Sequence, residues 1–99
     1  FAERCYRILA RVPRGKITTY SDIAHAIGSR AYRAVGNAMN KNPYAPEVPC
    51  HRVVNRDGHL GGYAGGIGKK EALLKSEGIE IENGHIVNLE RYLMNFSND

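Results

Sequence analysis

The sequence predicts a small, mostly α-helical domain with short β elements, organised around a helix-turn-helix. Residues 1–12 carry apolar side chains at helical spacing, and two further short stretches of helical spacing meet at Gly28 and Ser29. Residues 79–87 alternate around Asn83-Gly84, which is the strongest short-range signal for a β-hairpin. With 99 residues in all, we expect a single domain, residues 1–99, with little capacity for a second core.

The composition limits the possible classes of protein. A hydrophobic content of 42% and a charged content of 24% are ordinary for a globular chain, and no apolar run approaches the roughly 20 residues of a membrane span. The chain shows neither a signal peptide nor a metal-ligand pattern such as CxxC, so no membrane association, metal or other cofactor is expected. Two cysteines make no disulfide framework and indicate a reducing compartment. The net charge of +4 is compatible with a polyanionic partner but does not identify one.

The first predicted helix runs from Phe1 to Val12. Its apolar positions share one face, and its arginines lie on the opposite face. The apolar positions are Phe1, Cys5, Ile8, Leu9 and Val12, and the arginines are Arg4, Arg7 and Arg11. On this pattern Cys5 is a packing residue without a chemical role. Residues 13–15 then form a turn.

The helix-turn-helix is predicted at about residues 21–41. Ser21 is expected to cap a short first helix that Gly28 ends, and Ser29 is expected to cap the second helix, from Arg30 to about Lys41. The second helix of such a motif can enter a DNA groove. Its polar face carries Arg30, Arg33, Asn37 and Asn40. Any two capped helices joined by a turn share this pattern, so the pattern alone does not establish DNA binding.

The C-terminal part is predicted as a helix, a hairpin and a final helix. Residues 69–77 form the first of these, with apolar residues inward and Gly78 just beyond the helix end. The inward residues are Ala72, Leu73 and Leu74. The tail, at about residues 79–96, continues with the Asn83-Gly84 hairpin and a helical apolar stripe, and we interpret it as packing. The stripe comprises Leu89, Tyr92, Leu93 and Phe96.

The Cys50-His51 pair carries the clearest chemical signal. A thiol is a weak nucleophile until it is ionised, and the ordinary thiol pKa of about 8.5 must be lowered by a nearby base or cation. His51 is the obvious base, but adjacent side chains point in different directions, so we expect a water to bridge the two. The alternatives are an inert buried cysteine beside an unrelated histidine, and a cysteine hydrolase.

The residues around this pair are more specific than the pair itself. The segment Pro49–Val54 is PCHRVV; the segment Asn42–Val48 leads into it, and the glycine-rich segment Leu60–Gly66 follows it. Together they resemble the C-terminal active-site domain of the O6-alkylguanine-DNA alkyltransferases, also called methylated-DNA–protein-cysteine methyltransferases. The resemblance extends from Phe1 to about Gly78. It implies an alkyltransferase domain whose helix-turn-helix is winged-helix-like.

The resemblance implies DNA repair by direct reversal of damage. The expected partner is double-stranded DNA containing O6-alkylguanine, bound through the minor groove, with the damaged base flipped out of the helix. The alkyl group would pass irreversibly to Cys50, so each molecule would act once, as a suicide enzyme without a cofactor. We expect a monomer in the cytoplasm, associated with the nucleoid, or in the nucleus of a eukaryote. Many family members carry an additional N-terminal domain, so the chain is interpreted as a short member or a fragment.

The resemblance also assigns roles to individual catalytic residues. His51 would activate Cys50 through water, and Glu77 would hold one nitrogen of His51 and so select its tautomer. Tyr20 would donate a hydrogen bond to the guanine as it leaves. Asn42 would tie the turn before the cysteine to the backbone around it.

Further residues are assigned to DNA and to the base. Arg33 matches the arginine finger that fills the gap left by the flipped nucleotide. Other DNA contacts are expected from the second helix and its cap, at Ser29, Arg30, Asn37 and Asn40. The expected lining of the base pocket is Val53, Leu60, Gly61, Tyr63 and Ala64. The carbonyls of Cys50 and Val53 would accept the guanine amino group. Many family members have serine where this chain has Ala64, so a hydroxyl contribution is lost here.

The principal alternative is a protein that binds the lesion without chemistry. Short alkyltransferase-like proteins share this domain, bind O6-alkylguanine and recruit other repair factors. Their length fits, but their defining feature is replacement of the reactive cysteine, usually by tryptophan, and this chain keeps Cys50. A helix-turn-helix regulator would leave the combination of Cys50, His51 and Glu77 unexplained. The retained cysteine therefore favours the enzyme.

Overall fold

A computed structural model of the chain describes residues 2–42, 48–61, 63 and 66–94. Within these ranges the helices are α1 (Ala2–Leu9), α2 (Tyr20–Ala26), α3 (Tyr32–Asn40), α4 (Ile67–Ser76) and α5 (Leu89–Tyr92), and a 3-10 turn spans Cys50–Arg52. The strands are β1 (Thr18–Thr19), β2 (Val53–Val54), β3 (Ile81–Glu82) and β4 (His85–Ile86). The predicted fold class, mostly helical with short β elements and a helix-turn-helix, is confirmed. None of the helices in these ranges has the length and apolar character needed to cross a bilayer.

Two apolar clusters form the core and meet at the paired strands β1 and β2. The first cluster lies among α1, α2 and α3 and includes Cys50 and Val53, whereas the second includes Val54 and lies against α4 and the C-terminal hairpin. The two strands are parallel, with Thr18 opposite Val53. Because successive residues of a strand point to opposite faces, Val53 packs into one cluster and Val54 into the other. This short strand pair therefore holds the segment that carries Cys50 between the two clusters.

Helix α1 uses the predicted apolar stripe, although it ends at Leu9 rather than at Val12. Cys5 and Leu9 are fully buried, and Val12 is buried in the turn that follows the helix. The prediction that Cys5 is a packing residue is confirmed. The stripe also includes Tyr6, whose hydroxyl donates to the Ala38 carbonyl at 2.8 Å and so ties α1 to α3.

The predicted N-cap of the first motif helix is wrong by two residues. Helix α2 begins at Tyr20, and the Asp22 N–H donates to Thr19 Oγ1 at 3.1 Å. Thr19 ends strand β1 and keeps an extended backbone (φ −117°, ψ 160°), which is the conformation an N-cap requires. Ser21 lies inside the helix, with its hydroxyl 3.1 Å from Thr19 Oγ1.

The second motif helix starts later than predicted. Helix α3 begins at Tyr32, so Arg30 precedes the helix rather than belonging to it. The Ser29 hydroxyl accepts a hydrogen bond from the Ala31 N–H at 3.0 Å and closes a turn before the helix, instead of capping it. The helix N-cap is Ala31, which has no side-chain oxygen to offer. Gly28 ends the first helix as predicted, with a φ of +71° that favours glycine.

The inward face of α4 differs from the predicted one. The helix covers Ile67–Ser76, where Leu74 is buried and Leu73 half-buried, but Ala72 is exposed. The second buried residue of the helix is Lys70. Residues four apart share a helix face, and residues two apart do not, so Lys70 and Leu74 point inward together while Ala72 points outward.

The hairpin is confirmed, whereas the last helix is shorter than predicted. Strands β3 and β4 pair around Asn83 and Gly84, which both have positive φ, as a type I′ turn requires. Helix α5 ends at Tyr92, and Leu93 is already extended. The Met94 N–H donates to the Ile17 carbonyl at 2.9 Å, so the chain here runs along the segment before β1 instead of continuing as a helix. Phe96 lies outside the described residues.

Candidate active site

Cys50 begins the one-turn 3-10 helix that enters strand β2. Its side chain is 7% exposed, and its N–H donates to the Val48 carbonyl at 2.9 Å. Successive residues of a 3-10 helix are about 120° apart. The side chains of Cys50, His51 and Arg52 therefore leave the turn in three directions, which agrees with the expectation that Cys50 and His51 do not bond directly.

His51 is buried and bonds to the carboxylate at the end of α4. Its Nε2 lies 2.9 Å from Glu77 Oε2. Burial raises the pKa of the Glu77 carboxyl, but hydrogen bonds from Arg52 and His51 outweigh burial and hold that pKa below its usual value. An ionised carboxylate only accepts hydrogen bonds, so Nε2 of His51 must carry the proton. Nδ1 of the neutral ring is then left with a lone pair, as a base requires.

Arg52 is a further polar residue of the site, and the sequence did not reveal it. Its guanidinium donates to both carboxylate oxygens of Glu77, with Nε 2.8 Å from Oε1 and Nη2 2.7 Å from Oε2. Its Nη1 donates to the Val12 carbonyl at 2.8 Å. A signal was available, because Arg52 directly follows the Cys50-His51 pair, but residue 77 becomes its neighbour only through folding.

Lys70 is the second functional candidate that sequence reasoning missed. The side chain is fully buried, its ammonium donates to the Val53 carbonyl, and it lies 5.9 Å from the centre of the Tyr20 ring. Burial lowers the pKa of Lys70 to about 8, and the nearby Cys50 thiolate opposes this shift to a smaller extent. A buried positive charge attracts negative charge that develops near it. In the sequence, Lys69 and Lys70 look alike, and only the phase of α4 separates them.

Tyr20 and Tyr63 also lie near Cys50. Burial first, and the Cys50 charge second, raise the pKa of both phenols, so both keep their protons at neutral pH and can donate. Gly61 has a φ of +74°, and a methyl group built on it would lie 3.4 Å from the Tyr20 hydroxyl. A larger side chain at Gly61 would crowd the space in front of the phenol.

Of the remaining predicted pocket residues, Val53 packs in the same apolar cluster as Cys50, whereas Leu60 packs in the second cluster. Val53 and Leu60 are buried, and Ala64 lies outside the described residues. The Val53 carbonyl already accepts from Lys70, but a carbonyl oxygen has two lone pairs and can accept a second donor. The Asn42 amide donates to the Val48 carbonyl at 2.7 Å, which is the contact expected of the hinge residue.

Comparison with known protein families identifies the chain. The family described as "6-O-methylguanine DNA methyltransferase, DNA binding domain" matches residues 1–79. The chain belongs to this family. The match identifies the DNA-binding domain. It does not confirm the more detailed expectation of a C-terminal active-site domain.

Curated relatives in the 6-O-methylguanine DNA methyltransferase family are longer than this chain. A methylated-DNA–protein-cysteine methyltransferase of Methanosarcina barkeri is 51% identical over 78 residues, which make up 78% of this chain and 49% of that protein. A bifunctional methyltransferase/endonuclease of Picrophilus torridus is 44% identical over 91 residues, covering 91% of this chain and 30% of that protein. The chain thus spans about half, or less, of these relatives.

Solved structures of related proteins share the fold. S. pombe Atl1, in complex with damaged DNA containing O6-carboxymethylguanine, superposes with a TM-score of 0.83 at 31% identity, covering 95% of this chain and 94% of that one. Mycobacterium tuberculosis OGT in complex with DNA superposes with a TM-score of 0.75 at 47% identity, covering 78% of this chain and 48% of that one.

Within the 6-O-methylguanine DNA methyltransferase fold, α3 presents the residues predicted to contact DNA. Arg33, Asn37 and Asn40 are exposed on it, opposite the buried residues that hold the helix to α1 and α2. Arg30 is exposed and Ser29 half-buried in the turn before the helix. All five side chains therefore lie on the helix-turn-helix, and their role in DNA binding stays a prediction.

Proposed function

We propose that this chain is the active-site domain of a methylated-DNA–protein-cysteine methyltransferase, and that it transfers an alkyl group from O6 of guanine to Cys50. The observation that carries the proposal is the retained thiol of Cys50 beside the buried His51–Glu77 pair and the Lys70 ammonium, in a chain of this family. The proposed location is a reducing compartment that contains DNA, the cytoplasm or a nucleus, and the free thiols of Cys5 and Cys50 support it.

The reaction is a displacement at the alkyl carbon. The Cys50 thiol gives its proton through a water to Nδ1 of His51, and Lys70 stabilises the thiolate. The sulfur then forms a bond to the alkyl carbon while the bond from that carbon to guanine O6 breaks. Tyr20 donates a proton to the departing guanine and recovers one from solvent, to which His51 releases the proton that it took from Cys50. The products are a thioether on Cys50 and an unmodified guanine.

A stacked base cannot reach a thiol that is almost entirely buried, so the damaged nucleotide has to leave the duplex. Helix α3 enters the minor groove, whose edges distinguish base pairs poorly, and this suits a protein that inspects any sequence. The S. pombe complex, which contains O6-carboxymethylguanine, and the M. tuberculosis complex with DNA support double-stranded DNA as the partner. Arg33 fills the gap that the flipped nucleotide leaves.

Intact mass spectrometry with a duplex containing O6-methylguanine tests the proposal. We expect the protein to gain one methyl group, with product formation stopping at one methyl per molecule, because water cannot attack the carbon of a thioether. Peptide mapping should place the group on Cys50. The lesion-binding alternative predicts binding without a mass change. Sustained turnover with unmodified Cys50 would rule out the proposed chemistry.

Arg33→Ala separates base flipping from chemistry. We expect the variant to repair duplex DNA about ten- to a hundredfold more slowly, because flipping costs a few kcal/mol of stacking and pairing that the finger offsets. Its reaction with free O6-benzylguanine, which needs no flipping, should be unchanged. Arg91→Ala, which removes the same charge from the exposed surface of α5, is the matched control. Equal slowing of both reactions by Arg33→Ala would instead indicate a defect in the pocket or the fold.

A further inference from the structure

We propose that Arg52 is a positioning residue for the thiol chemistry, which holds the Glu77 carboxylate in the orientation that bonds His51. This inference rests on the proposed function and adds a residue to it. Arg52 touches neither the reacting sulfur nor the base pocket in the contacts described, and acts through Glu77.

The contact is a bidentate fork. Nε and Nη2 of Arg52 meet the two oxygens of Glu77 at 2.8 and 2.7 Å, with the two side chains 15% and 8% exposed. A planar guanidinium that pairs with both oxygens fixes the plane of the carboxylate as well as its position. A lysine could supply the charge but not this plane.

One oxygen serves both partners. Glu77 Oε2 lies 2.7 Å from Nη2 of Arg52 and 2.9 Å from Nε2 of His51. The position in which Arg52 holds Oε2 therefore determines where Nε2 of His51 finds its hydrogen-bond acceptor.

The guanidinium is itself anchored from a different part of the fold. Nη1 donates to the carbonyl of Val12, just after α1, at 2.8 Å, and Val12 is buried. The fork thus joins three segments: the turn after α1, the Cys50–Arg52 turn and the end of α4. Arg52 is therefore held by a backbone carbonyl as well as by the carboxylate that it orients.

The position of Glu77 at the C-terminal end of α4 explains why its carboxylate needs a positively charged partner. It is the C-cap of α4, where the helix dipole disfavours a negative charge. A glutamate side chain has three rotatable bonds, and one hydrogen bond from His51 leaves several rotamers open. Without Arg52 we expect the carboxylate to turn toward solvent for part of the time, leaving Nε2 of His51 without a fixed acceptor.

The rate test uses Arg52→Gln, Arg52→Lys, Glu77→Gln and the double variant Arg52→Gln with Glu77→Gln. Among metal-binding histidines, loss of the partner that orients the ring typically costs ten- to a hundredfold, and by the same reasoning we expect Arg52→Gln to react on the order of tenfold more slowly. The loss should be equal for free O6-benzylguanine and duplex DNA, because Arg52 does not take part in flipping. Arg52→Lys should fall between wild type and Arg52→Gln. The double variant should match Glu77→Gln alone, as expected for residues that act as a unit.

A second readout is independent of alkyl transfer. Nitrogen-15 NMR of the histidine rings distinguishes the two neutral tautomers, and wild-type His51 should show the proton on Nε2. In Arg52→Gln we expect a mixture of tautomers. Arg14→Gln is the matched control, because Nη2 of Arg14 ties the turn after α1 to the Ser76 carbonyl at 2.7 Å, one residue before Glu77, without touching the carboxylate. It should leave both the rate and the tautomer unchanged.

The outcomes separate the two proposals. Additive losses in the double variant, or a single Nε2–H tautomer in a folded Arg52→Gln protein, would overturn the role of Arg52. If Arg52→Gln does not fold, Arg52→Lys answers the same questions with the charge retained. A tautomer change in a protein whose wild type transfers no alkyl group would reject the proposed function and leave the positioning role standing.

Discussion

Replacing Cys50 with serine is expected to abolish alkyl transfer while leaving the affinity for duplex DNA containing O6-methylguanine nearly unchanged. A serine hydroxyl is far less acidic than a thiol, and the His51–Glu77 pair and Lys70 cannot make it an effective nucleophile toward an alkyl carbon. Binding should survive because phosphate contacts fix a protein on the duplex, and the predicted contacts lie on the exposed face of α3.

Intact mass measures the transfer, and fluorescence anisotropy measures the affinity. The matched control is Cys5→Ala, since Cys5 is the other cysteine and is fully buried among α1, α2 and α3. It should lower the stability through lost packing but keep the transfer. Alkylation of Cys50→Ser, or loss of transfer in a folded Cys5→Ala protein, would contradict the assignment of the nucleophile. A folded Cys50→Ser protein that no longer binds DNA would show that the thiol is part of the binding surface.

Replacing Lys70 with methionine should remove a pH-dependent part of the stability. The pKa of Lys70 in the folded protein is about 8, below the roughly 10.4 of an unfolded lysine. Between these two values the unfolded chain binds more protons, so this contribution to the free energy of unfolding rises with pH. The shift corresponds to about 3 kcal/mol, gained as the pH rises from below 8 to above 10.4. The difference between wild type and Lys70→Met should follow this rise.

Urea unfolding at a series of pH values gives this difference, and groups that titrate equally in both proteins cancel. Lys69→Met is the control, because Lys69 is the exposed neighbour on the same helix and should show no such rise. Lys70→Met should also slow alkyl transfer, on the order of a hundredfold, as removal of one preorganised electrostatic group usually does. If the stability difference between wild type and Lys70→Met stays constant across this pH range, Lys70 is not a buried group with a lowered pKa.

Structural features that depend only on residues close together in the chain could be predicted from the sequence. Asn83-Gly84 predicts its hairpin because the two positive φ values are a local property of those residues. Gly28 ends α2 for the same reason, and the apolar spacing of residues 1–12 predicts the buried stripe of α1. The errors at Ser21 and residue 93 share one cause. Each of these helix ends depends on an extended segment that pairs with a distant part of the chain, β1 with β2 and Met94 with Ile17. The error at Ser29 is local, because its hydroxyl closes a turn with the Ala31 N–H instead of capping α3.

The sequence by itself determined the fold class, the helix-turn-helix, the Cys50-His51 pair and the family resemblance, and that resemblance in turn implied Glu77. It could do so because periodicity, turn chemistry and the PCHRVV segment are properties of neighbouring residues. Only the tertiary structure decided which side chains surround these candidate residues.

The fork between Arg52 and Glu77 joins residues 25 apart, and the Lys70 contact with Val53 joins residues 17 apart. Both exist because the parallel pairing of β1 with β2 and the phase of α4 bring distant polar groups into one buried site. A buried charge must find a partner when water is excluded, and which partner it finds is settled by packing rather than by any pattern along the chain.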